Sequence, residues 1–395
     1  MNFYEKRDVF RSSANGKSYH IDINVCSSCN LGCQYCSEGK NLEPFTPSRV
    51  QETKTKVLKE ELYNFVDKIN ATYNPDNFVI AFWGGEPFLN FEYCYDVMMH
   101  YSNDPKMFFF FYTNGIYVKK YLHLIKNFDS IAPGHLNVQI SYDGGKVNDV
   151  ERLTKNKKST SKAVKDAYLL LRENNISVDM KSTVSPRTFK YMYSAFVDII
   201  SLPDSDNYFP SPDAFSEYDS KQWPQYYADL KKNISLIAKY IYDHNLPLNS
   251  FRWFENNKAL CGAGIQYVTI DLNGNVTPCH SCMYDTESQH KIGNIRELDI
   301  IQKIQKAEER FKNLMSIKMK DPVCSKCTSP FCVRCPAGSF NLSYVKKNTE
   351  HLSGQARTDA RWLARNIDMC QVFKINEIVY NSLLKTLKNR TTKAV

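Results

Sequence analysis

Residues 19–36 read YHIDINVCSSCNLGCQYC, and residues 78–87 read FVIAFWGGEP. Each is a β-rich run that ends in small or chemically active residues, and runs at 107–112, 136–142 and 176–182 have the same character. Between them, 57–71 and 161–174 carry apolar residues at three- and four-residue intervals, the pattern of amphipathic helices. Repeated β-then-α units predict an α/β fold with a parallel sheet, whose functional residues collect at the carboxyl ends of the strands. The sequence obeys this rule. Gly84-Gly85-Glu86-Pro87, Thr113-Asn114-Gly115 and Asp143-Gly144-Gly145 each follow a strand directly.

Further along, prolines at 203, 210 and 212 break the pattern over 201–220, a loop or a sixth irregular strand. A helix is expected over 223–244, with Tyr227, Leu230, Ile234, Ile237 and Ile241 on one face. The segment after it has few long periodic runs and is rich in cysteine, so its order is expected to depend on metals. A closing amphipathic helix follows from Val372.

Composition narrows the class. With 395 residues, 43% apolar and 24% charged, the chain has the make-up of a globular protein with two or three domains. The net charge of +9 is spread along the chain, which argues against nucleic acid as a partner. No apolar run approaches the ~20 residues that span a bilayer, and the first ten residues lack an export signal. A cytoplasmic protein without a membrane partner is the expectation. In that compartment thiols stay reduced, so 13 cysteines point to metal or catalysis rather than disulfides. Four lie at Cys26 to Cys36, Cys94 stands alone, and eight fall between Cys261 and Cys370.

Cys29, Cys33 and Cys36 form C-x3-C-x2-C after the first strand. A cubane iron–sulfur cluster takes one thiolate per iron, so three cysteines leave one iron open for a substrate or cofactor. A fourth thiolate from Cys26 would instead close the site, as in structural zinc. The C-x3-C-x2-C loop with aromatic Tyr35 before its last cysteine, together with Gly84-Gly85-Glu86-Pro87 on the next strand, resembles the radical S-adenosylmethionine (radical SAM) enzymes. The resemblance implies a partial (β/α)6 TIM-like barrel. It implies that the open iron of a [4Fe-4S] cluster chelates the methionine moiety of SAM, and that reduction yields a 5′-deoxyadenosyl radical. Glu86 would meet the SAM ammonium where Gly84 and Gly85 allow close backbone approach. Tyr35 would lie near the adenine, and Ser141 and Asp143 on the ribose side. For Asp143-Gly144 a plain strand-terminating turn is the alternative, and Thr113 and Asn114 carry the same ambiguity.

The C-terminal third resembles the SPASM extension of these enzymes. Twelve residues lie between Cys261 and Gly274 and four between Gly274 and Cys279, as the pattern requires; Cys324, Cys327, Cys332, Cys335 and Cys370 follow. Two of the later gaps are each one residue shorter than the family pattern. The resemblance implies two auxiliary [4Fe-4S] clusters, three in all: Cys324, Cys327, Cys332 and Cys370 for one, and Cys261, Cys279 and Cys335 for the other. Its fourth ligand is Cys282 or an open position, and zinc sites are the structural alternative. Cys94, among Phe91, Tyr93 and Tyr95, reads as a buried core thiol. The expected domains are a barrel over 1–235, a SPASM domain over 236–371 and a C-terminal helix over 372–395.

SPASM enzymes mostly modify peptides, so the resemblance implies a precursor peptide with a leader as partner, and an electron donor such as flavodoxin or ferredoxin. Sulfatase-maturing enzymes place an aspartate general base directly after the cysteine that closes the G-x4-C element; His280 stands there, and histidine also accepts protons. The preferred reading is a maturase that forms a carbon–carbon crosslink of cyclophane type at an aromatic residue. Thioether formation and formylglycine generation are the alternatives. Only 28 residues precede Cys29, so leader recognition is expected to use the barrel, the SPASM region or another protein.

Overall fold

A computed structural model describes residues 18–36, 53–213, 218–252, 261–284, 290–326, 343–364, 367, 370–372 and 374–375. Six parallel strands form its centre: β1 (Ser18–Cys26), β2 (Asn77–Gly84), β3 (Met107–Thr113), β4 (Leu136–Ser141), β5 (Val178–Val184) and β6 (Pro210–Pro212). The helices between them are α1 (Lys59–Tyr73), α2 (Phe91–His100), α3 (Val118–Ile131), α4 (Gly145–Glu151), α5 (Ser161–Glu173) and α6 (Met192–Ile200), with α7 (Trp223–Asp243) after β6.

Alternation along the strands sorts the sheet into two faces. Ile21, Ile23, Phe78, Ile80, Phe82, Phe109, Phe111, Val138 and Ile140 are fully buried in the core shared with the helices. The opposite, inner face carries a separate apolar cluster of Val79, Ala81, Phe108 and Phe110, with Tyr112 packed on it. His20, Asp22 and Asn24 alternate with the core residues of β1 and share that inner side.

The expected hairpin at Asp271 exists: β7 (Tyr267–Ile270) and β8 (Asn275–Thr277) pair antiparallel around Gly274, whose φ of +83° suits glycine. Less expected is its place. β7 pairs parallel with β1, so the sheet runs β6-β5-β4-β3-β2-β1-β7-β8-β9, with β9 at Gly293–Asn294. The cysteine-rich third and the barrel share one sheet. Arg296 joins them again, bound to both carboxylate oxygens of Glu61 at 2.7 and 2.8 Å.

Two expectations need correction. In α7 it is Tyr226 that is buried, against Phe189 and Tyr218, while Tyr227 is 40% exposed. The segment read as having few long periodic runs holds the long helix α8 (Ile300–Met319), with Ile300, Ile304, Phe311 and Leu314 buried. It packs against α10 (Gly354–Leu363), which follows α9 (Ser343–Thr349). Residue 235, the expected end of the barrel domain, falls inside α7. The expected helix from Val372 lies almost wholly outside the described residues. No helix among the described residues is long and apolar enough to cross a membrane.

Candidate active site

The cysteine loop leaves β1 and lies against residues 151–154 through a short backbone bridge. Gly32 N–H donates to the Leu153 carbonyl and Gln34 N–H to that of Glu151, both at 2.8 Å, and Leu31 bridges Thr154. Cys29 is buried; Cys33 and Cys36 are half-buried. The three thiols stand within electrostatic reach of one another. Burial pushes Cys29 and Cys33 up, Cys33 to about 11, while the Arg152 guanidinium opposes the rise at Cys33. Without a metal these thiols stay protonated, so iron binding releases protons. Cys26 does not join them: it is fully buried, with Sγ against the Ser28 carbonyl and the Thr53 hydroxyl, both at 3.8 Å. Cys29, Cys33 and Cys36 are thus the thiols that could hold a cubane with one open iron.

Gly84 and Gly85 were expected to admit a ligand, and their first use is to admit the cysteine loop. A Cβ on Gly84 would stand 2.2 Å from the Cys26 carbonyl oxygen, and one on Gly85 would stand 2.3 Å from that of Ser28. Gly85 N–H donates to the Cys26 carbonyl at 2.7 Å and Glu86 N–H to the Ser28 carbonyl at 2.9 Å. The two sequence motifs are thus stitched backbone to backbone.

Glu86 is 1% exposed. Its Oε1 accepts from the Thr113 hydroxyl at 2.7 Å and Phe88 N–H at 3.0 Å, and its Oε2 accepts from Asn114 N–H at 2.8 Å. Burial nevertheless pushes its carboxyl up to about 7, the three donors opposing the rise. A buried carboxylate held by dipoles but lacking a cation is suited to an incoming ammonium. Thr113 supports this carboxylate, and Asn114 reaches both the Cys29 sulfur, at 3.8 Å, and Asn30.

Ser141 is half-buried at the end of β4. Asp143 is fully buried and its carboxylate is engaged by the protein: Oδ2 accepts from Tyr35 at 2.7 Å and Arg152 at 3.0 Å, Oδ1 from Thr183 N–H at 2.7 Å. Arg152 also lies 5.2 Å over the Tyr35 ring. The polar ends of Tyr35 and Asp143 thus meet each other and tie the cysteine loop to the end of β4.

After β8, Cys279 and Cys282 are buried with their sulfurs 3.6 Å apart, in a cluster with Phe311, Leu314 and Trp362 and with half-buried Cys261 packed on it. The Cys282 thiol lowers Cys279. Cys324 and Cys370 are half-buried; Cys327, Cys332 and Cys335 lie outside the described residues. Among the described residues no three His, Cys, Asp or Glu side chains converge on a single ion. A cubane asks for something else, thiolates spread over separate irons.

His280 Nδ1 lies 3.3 Å from the Tyr267 hydroxyl and 3.9 Å from Asp22 Oδ2, its ring 5.5 Å from that of Trp83. Tyr267 donates to Asp22, which also accepts from His20 Nε2 at 2.9 Å. Burial, then Asp22, holds the Tyr267 phenol protonated. Sequence reading missed Asp22, Tyr267 and Trp83. The available signal was Asp22, an acid between the apolar residues Ile21 and Ile23 of a buried strand.

Comparison with known families matches what this geometry suggests: residues 23–186 match the radical SAM superfamily, and residues 261–328 the SPASM iron–sulfur cluster-binding domain. The chain is a radical SAM protein with a SPASM domain. Among curated proteins, this radical SAM chain is 27% identical over 211 residues to the radical SAM cyclopropyl synthase TigE of Paramaledivibacter caminithermalis, covering 49% of this chain and 41% of TigE. It is 28% identical over 162 residues to 7-carboxy-7-deazaguanine synthase of Methanocaldococcus jannaschii, covering 38% of this chain and 63% of that one. The match thus spans between two fifths and two thirds of these relatives' length. Among solved structures, anSMEcpe with bound AdoMet and Cp18Cys peptide superposes with TM-score 0.66 at 17% identity, over 94% of this chain and 99% of that one. SuiB of Streptococcus suis bound to S-adenosylmethionine gives 0.55 at 13%, over 86% and 78%. These likenesses establish a shared fold.

Proposed function

We propose that this radical SAM enzyme is a peptide maturase that installs an intramolecular crosslink in a ribosomally made precursor peptide, a carbon–carbon bond of cyclophane type at an aromatic residue. The observation that carries this reading is the position of β7. It sits directly beside β1, so His280, next to Cys279 in the chain, stands against Asp22 of β1 and Trp83 of β2. An electron acceptor there is what a reaction with net loss of two hydrogens requires. The peptide bound to anSMEcpe supports a peptide as substrate class.

When bound, SAM at the open iron of the first cluster supplies the hydrogen-abstracting radical, and two auxiliary clusters supply electron acceptors. Cys29, Cys33 and Cys36 would hold the first cluster. Cys261, Cys279, Cys282, Cys324, Cys327, Cys332, Cys335 and Cys370 would hold the others. Glu86 would bind the SAM ammonium, and Ser141 would lie on the ribose side. The apolar inner wall of Val79, Ala81, Phe110 and Tyr112 excludes water and suits an aromatic substrate side chain. His280, with Nδ1 turned to Tyr267 and Asp22, offers Nε2 to take the proton released when the crosslinked ring regains aromaticity.

The test is tandem mass spectrometry of the short peptide encoded beside the gene, after anaerobic co-expression. Loss of two hydrogens with an aromatic segment that resists fragmentation is the expected result. A crosslink consuming a peptide cysteine would assign thioether formation. An unmodified peptide with iron-loaded enzyme would remove the crosslinking reading.

A further inference from the structure

From residue 152 to residue 165 the chain carries six cationic side chains and no acidic one. Three of them, Lys155, Lys157 and Lys158, are exposed on one tight turn. The turn is closed by Lys157 N–H to the Thr154 carbonyl at 2.8 Å, Thr154 N–H to the Lys158 carbonyl at 3.0 Å, and Lys158 N–H to the Thr154 hydroxyl at 2.9 Å. Asp149, an exposed carboxylate on α4, is engaged by the hydroxyls of Ser159 and Ser161. Lys162 and Lys165 pair with Asp166 and Asp198.

Two independent features give this turn a function. The first is location. The segment that enters the turn is the one holding the cysteine loop, through Leu31, Gly32 and Gln34. Gly32, exposed between Cys29 and Cys33, packs against the backbone of Lys155: a Cβ there would lie 3.7 Å from the Lys155 Cα. Among the described residues, the turn thus backs directly onto the loop that carries Cys29 and Cys33. The second is strain. Lys157 has φ of +55°, a left-handed conformation that glycine or asparagine adopts with less cost. A cation is kept where the backbone would favour another residue.

We propose that the turn at 155–158 is the docking surface for the acidic one-electron carrier protein that reduces the SAM-binding cluster. Charge complementarity selects an acidic partner and steers its approach, and electron-transfer encounters use small interfaces of this kind. A carrier seated here reaches Cys33 through the Lys155 and Gly32 backbones. The step moves one electron from the reduced carrier to the oxidised cluster, with no bond made or broken. The proposal rests on the radical SAM assignment and is independent of the identity of the peptide, because SAM cleavage is followed without substrate.

The test uses anaerobic, iron-loaded enzyme with reduced flavodoxin of net negative charge as the probe, and dithionite as a small reductant. The variants are Lys157→Gly, which relieves the strain while removing one charge, and the triple charge reversal Lys155→Glu, Lys157→Glu, Lys158→Glu. Expected for the triple variant is about a tenfold lower kcat/KM for flavodoxin with a flattened salt dependence, and for Lys157→Gly about a threefold loss. Dithionite-driven formation of 5′-deoxyadenosine stays at the wild-type rate in both. Carbodiimide crosslinking of flavodoxin to the wild-type protein maps to these lysines at low salt and disappears at high salt. Crosslinks elsewhere, or an unchanged flavodoxin dependence, overturn the proposal. So does a parallel fall with dithionite, which would mean that the turn only supports the cysteine loop. An unchanged flavodoxin dependence with weakened binding of an acidic leader peptide would give the lysines to the substrate.

Discussion

Replacing Glu86 with glutamine separates the two roles of that side chain. The carboxyl is fully buried and its pKa rises from 4.5 to about 7 because burial outweighs three hydrogen-bond donors. That rise corresponds to about 3 kcal/mol at 1.36 kcal/mol per pKa unit. The sign follows from proton uptake: between pH 4.5 and about 7 the folded state binds more protons than the unfolded one, so Glu86 lowers SAM-free stability as pH rises through that window. Glutamine carries no charge and lacks this pH dependence. It keeps Oε1 for Thr113 and Phe88 but turns an NH2 toward Asn114 N–H, at a cost of about 1–3 kcal/mol. At pH 8.5 the gain of about 3 kcal/mol matches or exceeds the cost, leaving stability at or slightly above wild type; at pH 5.5, where only about 1 kcal/mol of the charge penalty has developed, the variant is the less stable by up to about 2 kcal/mol. SAM binding responds differently. Loss of the carboxylate leaves the SAM ammonium buried and unpaired, which costs about 3–5 kcal/mol, more than a hundredfold in affinity. Chemical denaturation of SAM-free protein at the two pH values, and equilibrium dialysis of SAM against iron-loaded protein, measure both. A variant that binds SAM within threefold of wild type, with iron content unchanged, would refute the assignment.

For Arg152→Gln, removal of the cation beside Cys33 is expected to lower the first cluster's reduction potential, whereas Tyr35→Phe, which breaks a bond to Asp143 without changing charge, leaves it in place; potentiometric titration followed by EPR separates the two. Gly85→Ala puts a methyl group against the Ser28 carbonyl, and a loss of about 1–3 kcal/mol with poor iron retention at the first site is expected from iron analysis and thermal melts. His280→Gln and Asp22→Asn are expected to keep SAM cleavage within about threefold while peptide product falls about 100-fold, the range of general-base catalysis; chromatography of 5′-deoxyadenosine against peptide mass spectrometry checks the split. Cys282→Ala is expected to retain an auxiliary cluster with an altered EPR signature, since water or substrate takes the open position; complete loss of that signal would make Cys282 an obligatory ligand.

The barrel was legible because its physics is local. Ile21, Ile23, Phe78, Ile80 and Phe82 alternate as strand residues must, and each strand ends in the residues that build the site. At α8, Ile300, Ile304, Phe311 and Leu314 recur at helical intervals, a local pattern that sequence reading passed over among the cysteine-bearing segments. Tyr226 and Tyr227 stand four and three residues before Leu230, both compatible with its face; contacts from Phe189 and Tyr218, distant in sequence, select Tyr226. What local pattern does not carry is pairing across the chain. No periodicity places β7 beside β1, points Cys26 away from Cys29, or brings Tyr35, Asp143 and Arg152 together. The glycines of Gly84-Gly85 announce a close approach in any sequence, but only the folded chain says that the cysteine loop's own backbone makes it.

Formation of 5′-deoxyadenosine from SAM by reduced, iron-loaded protein, compared among wild type, Cys26→Ala and Cys29→Ala, tests the central claim of three cluster thiolates and an open iron. Cleavage by wild type and Cys26→Ala, with none by Cys29→Ala, is the expected result. A wild-type protein that binds iron but leaves SAM intact, or a Cys26→Ala variant as inert as Cys29→Ala, would contradict it.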